Sequence, residues 1–206
     1  MSLSDMFKTL RQPIIKPKPW QKDVELILGT KENLKQAIDE CIKAPLGVYG
    51  MDLETTGLDN RVFDGKTRCS IVGIGIAPTV DKAYYFPVGH LEGAEHNVPW
   101  RLIGKQFKRL FDPEVASRPV LHNASFDLEF LQFNGFFPLG EERWDDHTKW
   151  EDTLILAYLL KPHIKGGRGL KYLSKTRLDM EMIELNDLMP DSADKDYSQI
   201  SPAWEP

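Results

Sequence analysis

Apolar and polar residues follow two different periods along this chain. Short apolar runs bounded by turn residues, typical of strands, occupy residues 24–28, 47–53, 70–77, 83–88 and 119–122. Apolar positions three or four apart, typical of helices, occupy residues 31–44, 100–111, 126–134, 152–160 and 169–178. The strands between residues 47 and 88 follow one another closely, which predicts an antiparallel meander. The whole order predicts an α/β fold with a mixed five-stranded sheet flanked by helices.

Residues 1–20 differ in character from the rest of the chain. Pro13, Pro17 and Pro19 stand among lysines, and each proline removes a backbone donor and restricts φ. We expect an extended, basic, proline-rich tail, which is either a flexible terminus or a docking arm for a partner or nucleic acid. Residues 21–206 are long enough to form one domain with a substantial core.

Composition narrows the class of protein. The chain of 206 residues has a net charge of −5, although residues 1–22 carry five basic residues and one acidic residue. An acidic body argues against broad, non-specific binding to duplex nucleic acid. The longest apolar run, residues 154–160, is far shorter than the roughly 20 residues of a membrane helix, so no membrane association is expected. Two cysteines exclude a disulfide framework and a four-cysteine zinc site, and they indicate a reducing compartment.

Two acidic residues near the end of one predicted strand are the first candidates for chemistry. Asp52 and Glu54, in the segment MDLETTGLD, are two residues apart, so a strand places both side chains on one face. Met51 and Leu53 then face the core. Neighbouring carboxylates repel each other and are tolerated where water or a cation intervenes, and Mg²⁺ or Mn²⁺ suits oxygen ligands. The alternative is a strand whose solvent-facing side is acidic.

A second acidic segment, VLHNASFDLEF, overlaps the predicted strand at residues 119–122 and contains the start of a helix. His122 and Asn123 follow the apolar part of the strand, and Asp127 enters the first turn of the helix. The helix dipole favours an acid in the first turn, so Asp127 taken alone could be a capping residue.

Together the two segments resemble a known family of nucleases. DLETTGLD resembles the first motif, and HNASFD the second motif, of the DEDD 3′→5′ exonucleases, most closely the proofreading domains of bacterial DNA polymerase I-type (family A) polymerases. YYFPVGH, DTLILAYLL and GLKYLS agree with this resemblance, which runs from about residue 20 onward. It implies a ribonuclease H-like fold, with residues 21–206 as an exonuclease domain. It also implies hydrolysis of phosphodiester bonds at the 3′ end of single-stranded DNA.

The resemblance assigns roles to two groups of residues. The carboxylates that it implies to be catalytic and to bind two Mg²⁺ or Mn²⁺ ions are Asp52, Glu54 and Asp127. The residues that it implies to contact the substrate are Thr55, Leu58, Asn123 and Phe126. Two such cations, about 3.5–4 Å apart, can generate hydroxide and stabilise the leaving oxygen of a phosphodiester.

The third motif of this family is not found. It contains a fourth carboxylate in a Tyr-x-x-x-Asp or His-x-x-x-x-Asp pattern, and no Tyr-x-x-x-Asp follows the second motif here. His147 and Asp152 have the second spacing, but Asp152 also fits the opening of the helix at residues 152–160. Asp194, Asp196 and Glu205 are further acids that could complete the site.

Three interpretations of this gap stay open. The chain is a fragment of a longer protein, or one half of a split polymerase whose partner supplies the missing motif, or a complete protein that uses another acid or has no activity. The function is then either a proofreading exonuclease, as part of or partner to a DNA polymerase, or a binding or structural module without turnover. RNA is not excluded as a substrate. We expect a cytoplasmic protein of a bacterial or phage-infected cell.

Overall fold

Strands and helices follow each other in the order that the sequence predicts, with one additional strand in the main sheet and a separate pair of short strands. The computed structural model describes residues 24–59, 62–63, 66–67, 69–136, 149–161, 167–182, 197–199 and 202. The strands are β1 (Glu25–Leu28), β2 (Val48–Thr55), β3 (Val62–Phe63), β4 (Lys66–Thr67), β5 (Ile71–Thr79), β6 (Lys82–Pro87), β7 (Arg118–Leu121) and β8 (Glu151–Asp152). The helices are α1 (Leu34–Ile42), α2 (Trp100–Phe107), α3 (Ala124–Phe133), α4 (Thr153–Leu160) and α5 (Leu170–Leu173). The tail expected at residues 1–20 lies outside the described residues.

The main sheet is mixed and has six strands in the order β1-β6-β5-β2-β7-β8. β2, β5 and β6 form the expected antiparallel meander, while β1, β7 and β8 each run parallel to their neighbour. The expectation of five strands was wrong because β8 has only two residues, which is too short to display a strand period. β3 and β4 form a separate antiparallel pair.

Helix α1 begins one turn later than its apolar spacing suggests. Thr30 and Asn33 exchange hydrogen bonds, because each backbone N–H donates to the side-chain oxygen of the other, at 2.8 and 3.3 Å. This reciprocal pair closes the turn in front of the helix, and Asn33 becomes the residue before its first turn. The stripe at Leu34, Ala37, Ile38 and Cys41 is buried as predicted.

The core lies on one face of the sheet, under α1 and α2. Tyr49, Met51 and Leu53 of β2 are buried on this face, which confirms the alternation expected for the strand. Phe86 and Phe107 pack edge to face there, with ring centroids 6.3 Å apart. The opposite face of β2 therefore carries Gly50, Asp52 and Glu54, and this face is the more open one.

The helix at residues 169–178 is interrupted. α5 is a single turn, and a π-helical turn, Ser174–Leu178, continues it until Asp179 adopts a left-handed conformation with φ of 56°. No helix among the described residues is long and apolar enough to cross a membrane.

Helix α4 is almost entirely apolar in sequence and yet none of its residues is buried. Leu159 and Leu160 are 68% and 74% exposed, and Ile155, Leu156 and Tyr158 are also exposed. Exposed apolar groups of this size on one helix are typical of a surface that meets another molecule or segment.

Because Leu159 and Leu160 contact little protein, we expect the variant Leu159→Gln/Leu160→Gln to change the free energy of unfolding by less than about 0.5 kcal/mol. Leu131→Ala in α3, where the side chain is completely buried, should cost about 2–5 kcal/mol. Urea unfolding followed by circular dichroism measures both. A loss in the double variant as large as that of Leu131→Ala would mean that α4 is covered in solution.

Candidate active site

The end of β2 projects beyond its parallel neighbour and carries two acids. β2 pairs with β7 only over Val48–Gly50, whereas its pairing with β5 continues to Thr55. Asp52 lies opposite Gly75 and Glu54 opposite Gly73 in that second pairing. The strand alternation therefore puts both acids on the face away from the core, as the sequence predicts.

Asp127 reaches the projecting end of β2 from the start of α3. Asn123, with φ of 67°, turns the chain from β7 into α3 in a left-handed conformation that asparagine tolerates better than most residues. Asp127 follows in the first helical turn, is only 2% exposed, and accepts a hydrogen bond of 3.0 Å from the backbone N–H of Leu53. The carboxylate thus bonds to a residue between Asp52 and Glu54, and capping of its own helix does not explain its position.

All three carboxyls have raised pKa values, mainly because the protein around them displaces water. Burial and then the charge of Asp52 raise the pKa of Asp127 to about 8, against a smaller opposing effect of the Leu53 N–H. Burial and then the charge of Asp52 raise the pKa of Glu54 to about 7. Asp52 is accessible to solvent, yet partial desolvation still raises its pKa to about 6. The structure therefore brings the three acids into one electrostatic cluster.

The chemistry of this cluster suits a hard divalent cation, since carboxylate oxygens are the ligands that Mg²⁺ and Mn²⁺ prefer. Within the described ranges, however, no three His, Cys, Asp or Glu side chains stand in an arrangement that could hold a metal ion. Asp52 and Glu54 line the open cavity, whereas Asp127 is not among its lining residues and is bonded to the Leu53 N–H. The donors fit such an ion in kind, and their roles as ligands stay a prediction.

A cavity of about 910 Å³ opens over this face of the sheet. It is lined by residues of β1, β2, β5, β6 and β7, together with Thr153 at the start of α4 and Pro202. Asp52 and Glu54 line it together with Tyr85 and His122. The volume is in the range of ligand-binding clefts.

The residues expected to touch a substrate lie at two places around the cluster. The Thr55 hydroxyl donates to the Gly57 carbonyl at 2.7 Å, which fixes the turn after β2, and Leu58 then projects with 85% of its surface exposed. Asn123 is exposed at the start of α3, while Phe126 is half-buried against Phe130 with ring centroids 4.9 Å apart. Their contacts with a nucleotide stay a prediction.

Asp152 opens α4, as expected, and also holds the start of α3. One carboxylate oxygen accepts from the N–H groups of Leu154 and Asn123, at 2.8 and 3.0 Å, and the other accepts from that of Ala124, at 2.9 Å. The side chain is 7% exposed, so these bonds lie in the interior. Such a role is structural. His147, its partner in the alternative motif, lies outside the described residues, as do Asp194, Asp196 and Glu205.

His122 lines the cavity, although no role was predicted for it from the sequence. Thr153 donates its hydroxyl proton to the Leu121 carbonyl at 3.0 Å, so its oxygen must accept the proton of His122 Nδ1, 2.8 Å away. Burial lowers the pKa of His122, which favours the neutral ring. The consequence is a tautomer whose Nε2 is left as an acceptor.

Comparison with solved structures identifies the fold. The chain matches NrnC of Brucella melitensis with bound Mg²⁺ at a TM-score of 0.50 and 18% identity, over 78% of this chain and 64% of that one. It matches the EXO domain of Nibbler from Aedes aegypti at 0.52 and 14%, over 86% and 78%. It matches the catalytic core of RRP6 from Trypanosoma brucei at 0.55 and 14%, over 84% and 40%.

These comparisons show the architecture of the chain. No protein-family model and no curated protein matches the sequence. Over the described residues the chain has a ribonuclease H-like α/β fold with a six-stranded main sheet, similar to the fold of these solved structures. The narrower resemblance to polymerase I-type proofreading domains stays a prediction.

The raised pKa values predict how stability depends on pH. Since the folded pKa of each acid exceeds its ordinary value, the folded protein retains protons that the unfolded chain has already released, so stability falls as pH rises through about 6, 7 and 8. Asp127→Asn keeps an oxygen for the Leu53 N–H and removes one charge. We expect this variant, in EDTA, to melt at a higher temperature than the unmodified protein at about pH 9 and to lose less stability above about pH 5.

Glu114→Gln, which removes an exposed acid remote from the cluster, is the matched control and should follow the unmodified protein. Thermal melts over the same pH range check both variants. Equal pH dependence of Asp127→Asn and Glu114→Gln would contradict the coupling of the three acids.

Asp152→Asn replaces one acceptor oxygen by a donor that faces a backbone N–H. Because bonds to a charged acceptor contribute about 1.5–3 kcal/mol, we expect the free energy of unfolding to fall by at least that amount. Asp179→Asn, at an exposed left-handed position that asparagine also tolerates, should cost little. Denaturant titration checks the two variants. A neutral Asp152→Asn would show that the three bonds are not formed in solution.

Proposed function

We propose that this chain is a metal-dependent nuclease domain that hydrolyses single-stranded DNA from its 3′ end, as a proofreading exonuclease does. The observation that carries the proposal is the bond between Asp127 and the Leu53 N–H, which joins a third carboxyl to Asp52 and Glu54. The fold supports the nuclease class. The first and second motifs support the 3′ direction and the DNA substrate.

The three carboxyls have distinct parts in this proposal. Asp52, Glu54 and Asp127 are the residues that would hold Mg²⁺ or Mn²⁺. Such ions, when bound, supply hydroxide at neutral pH and stabilise the leaving 3′ oxygen. The carboxyls must first release protons, because the pKa values of Asp127 and Glu54 are about 8 and about 7. Affinity for the ions is therefore expected to rise between about pH 6 and about pH 8.

The surroundings of the cluster are suited to a strand end. Leu58 offers an exposed apolar surface beside the acids on which a terminal base could rest, and the Thr55 bond holds the turn that carries it. Asn123 lies exposed at the start of α3, the helix that carries Asp127. The cavity beside the cluster leaves room for a nucleotide.

We propose that a DNA polymerase domain or chain works with this domain. The acidic body offers little attraction for DNA, so a partner would deliver the strand end. Such a partner would also bring the fourth acid of the Tyr-x-x-x-Asp motif. With three carboxylates the site should hold one cation adequately and a second one poorly, so residues 1–206 alone should degrade DNA weakly.

A binding or structural module without turnover is the alternative function. It is favoured by the finding that, in the part of the chain described, no three side chains are arranged to ligate a metal ion. Metal binding without hydrolysis, even after a partner segment is added, would support this alternative.

Direct Mn²⁺ binding tests the proposal. Calorimetry at about pH 8 should detect one Mn²⁺ ion, with affinity reduced roughly tenfold or more in Asp127→Asn because an anionic ligand is lost. Glu114→Gln serves again as the control and should bind like the unmodified chain. Equal Mn²⁺ affinity in all three proteins would contradict the proposed ligand set.

A nuclease assay tests the direction and the substrate. A 5′-labelled single-stranded DNA should shorten slowly from its 3′ end with Mn²⁺, and faster when a segment bearing Tyr-x-x-x-Asp is added. A 3′-phosphorylated oligonucleotide and an RNA of the same sequence report on end recognition and on sugar preference. Full Mg²⁺-dependent activity of residues 1–206 would mean that an acid already present completes the site.

A further inference from the structure

A path without side chains connects the acids of β2 to Tyr85 on β6. Glu54 lies opposite Gly73 and Asp52 opposite Gly75 on the intervening strand β5. Gly75 in turn lies opposite Tyr85. Because both intervening residues on this face are glycines, nothing of β5 separates the acids from the tyrosine ring.

The Tyr85 phenol fills this path. A Cβ atom added to Gly73 would lie 1.9 Å from the Tyr85 hydroxyl oxygen and 2.2 Å from the carbon that bears it. The hydroxyl therefore occupies the position that a side chain at residue 73 would take. Since Cβ atoms of directly opposed residues lie about 4.5–5.5 Å apart, this position puts the hydroxyl roughly 3–7 Å from the Cβ of Glu54, a span that the glutamate side chain can bridge.

His90 holds the phenol at this position. Its Nε2 atom lies 2.7 Å from the Tyr85 hydroxyl oxygen, and the two rings meet edge to face with centroids 5.7 Å apart. His90 is 4% exposed, and its backbone N–H and carbonyl are both bonded to the Asn97 side chain, at 3.0 and 2.8 Å. His90 thus holds the Tyr85 ring, and Asn97 in turn holds the backbone of His90.

The segment after His90 is held as well. The N–H groups of Leu91 and Glu92 both donate to the Ser198 carbonyl, at 2.7 and 3.2 Å. A phenol has an ordinary pKa of about 10, so the Tyr85 hydroxyl keeps its proton at neutral pH and remains a donor. A rigid donor therefore stands beside an acid in a shared cavity.

We propose that Tyr85, anchored by His90, is a positioning residue that donates a hydrogen bond to the Glu54 carboxylate. The arrangement requires the tautomer in which His90 Nε2 carries the proton and donates to the Tyr85 oxygen, which frees the phenol proton for Glu54. Glu54 is then restricted to one orientation in the cavity. The importance of this orientation for catalysis rests on the proposed nuclease function, whereas the bond itself does not.

Carboxyl ¹³C NMR of the metal-free protein tests the bond directly, with Glu54 assigned by the loss of its signal in Glu54→Gln. Tyr85→Phe keeps the ring and removes only the hydroxyl, so it should shift the Glu54 carboxyl signal. The adjacent Tyr84→Phe is the matched control, because the Tyr84 hydroxyl donates to Glu40 at 2.9 Å on the other face of the sheet. It should shift the signal of Glu40 and leave that of Glu54 unchanged.

The outcomes distinguish a specific Tyr85–Glu54 hydrogen bond from a general effect of Tyr85 on packing. An unchanged Glu54 signal in Tyr85→Phe, together with a shifted Glu40 signal in Tyr84→Phe, would overturn the proposal. His90→Gln, which retains a donor near the Nε2 position, should preserve the Glu54 signal, whereas His90→Leu should shift it as Tyr85→Phe does. Shifts of many carboxyl signals at once in Tyr85→Phe would also overturn it, because they indicate a general structural change.

Mn²⁺ binding then links the bond to the proposed function. Tyr85→Phe should weaken Mn²⁺ binding roughly tenfold, as loss of an outer hydrogen bond to a ligand commonly does, while Tyr84→Phe should not. A Glu54 signal that responds to Tyr85→Phe in a chain that binds no Mn²⁺ would keep the positioning role and reject the nuclease proposal. Unchanged affinity in Tyr85→Phe, in a chain that does bind Mn²⁺, would reject the proposed effect on the metal ligands.

Discussion

The hydrogen bond from the Leu53 N–H to the Asp127 carboxylate ties the two halves of the candidate site together. β2 continues past the end of β7, so its edge on that side has backbone groups with no strand partner, and buried backbone donors must find another acceptor. Asp127, in the first turn of α3, supplies an acceptor for one of these donors, the Leu53 N–H. The same bond stabilises the junction of helix and sheet and holds an acid within the field of Asp52 and Glu54.

The clustering of Asp52, Glu54 and Asp127 lowers the stability of the folded protein when these carboxyls ionise. Three carboxyls at one desolvated end of a sheet favour their protonated state. The amount by which the pKa of each carboxyl is raised in the folded protein reflects the stability that the fold loses when that carboxyl ionises. A cation would relieve that repulsion, which is why clusters of this kind are typical of functional sites rather than of cores. In the proposed arrangement, Tyr85 and His90 orient the Glu54 carboxylate from the β6 side. Two glycines of β5 leave room for the phenol between the strands.

Much of this could be predicted from the sequence, because strand alternation is a local property. It placed Asp52 and Glu54 on one face of β2, with Met51 and Leu53 in the core, and the motif order pointed to the fold. The double capping by Asp152 and the Tyr85–His90 pair depend on contacts between elements that no spacing along the chain encodes. The sixth strand was missed because two residues have no period. The apolar sequence of helix α4 is typical of a core helix, yet none of its residues is buried in the structure.

Crystals grown with Mn²⁺ test most directly whether Asp52, Glu54 and Asp127 form one cation-binding site. The anomalous scattering of manganese locates the ion without reference to activity. We expect an anomalous peak within coordination distance of an oxygen atom of each of the three carboxylates. At a sub-saturating Mn²⁺ concentration, the peak should be weaker in Asp127→Asn than in the unmodified protein. Manganese bound elsewhere, or a fully ordered cluster without a peak at saturating Mn²⁺, would contradict a shared site.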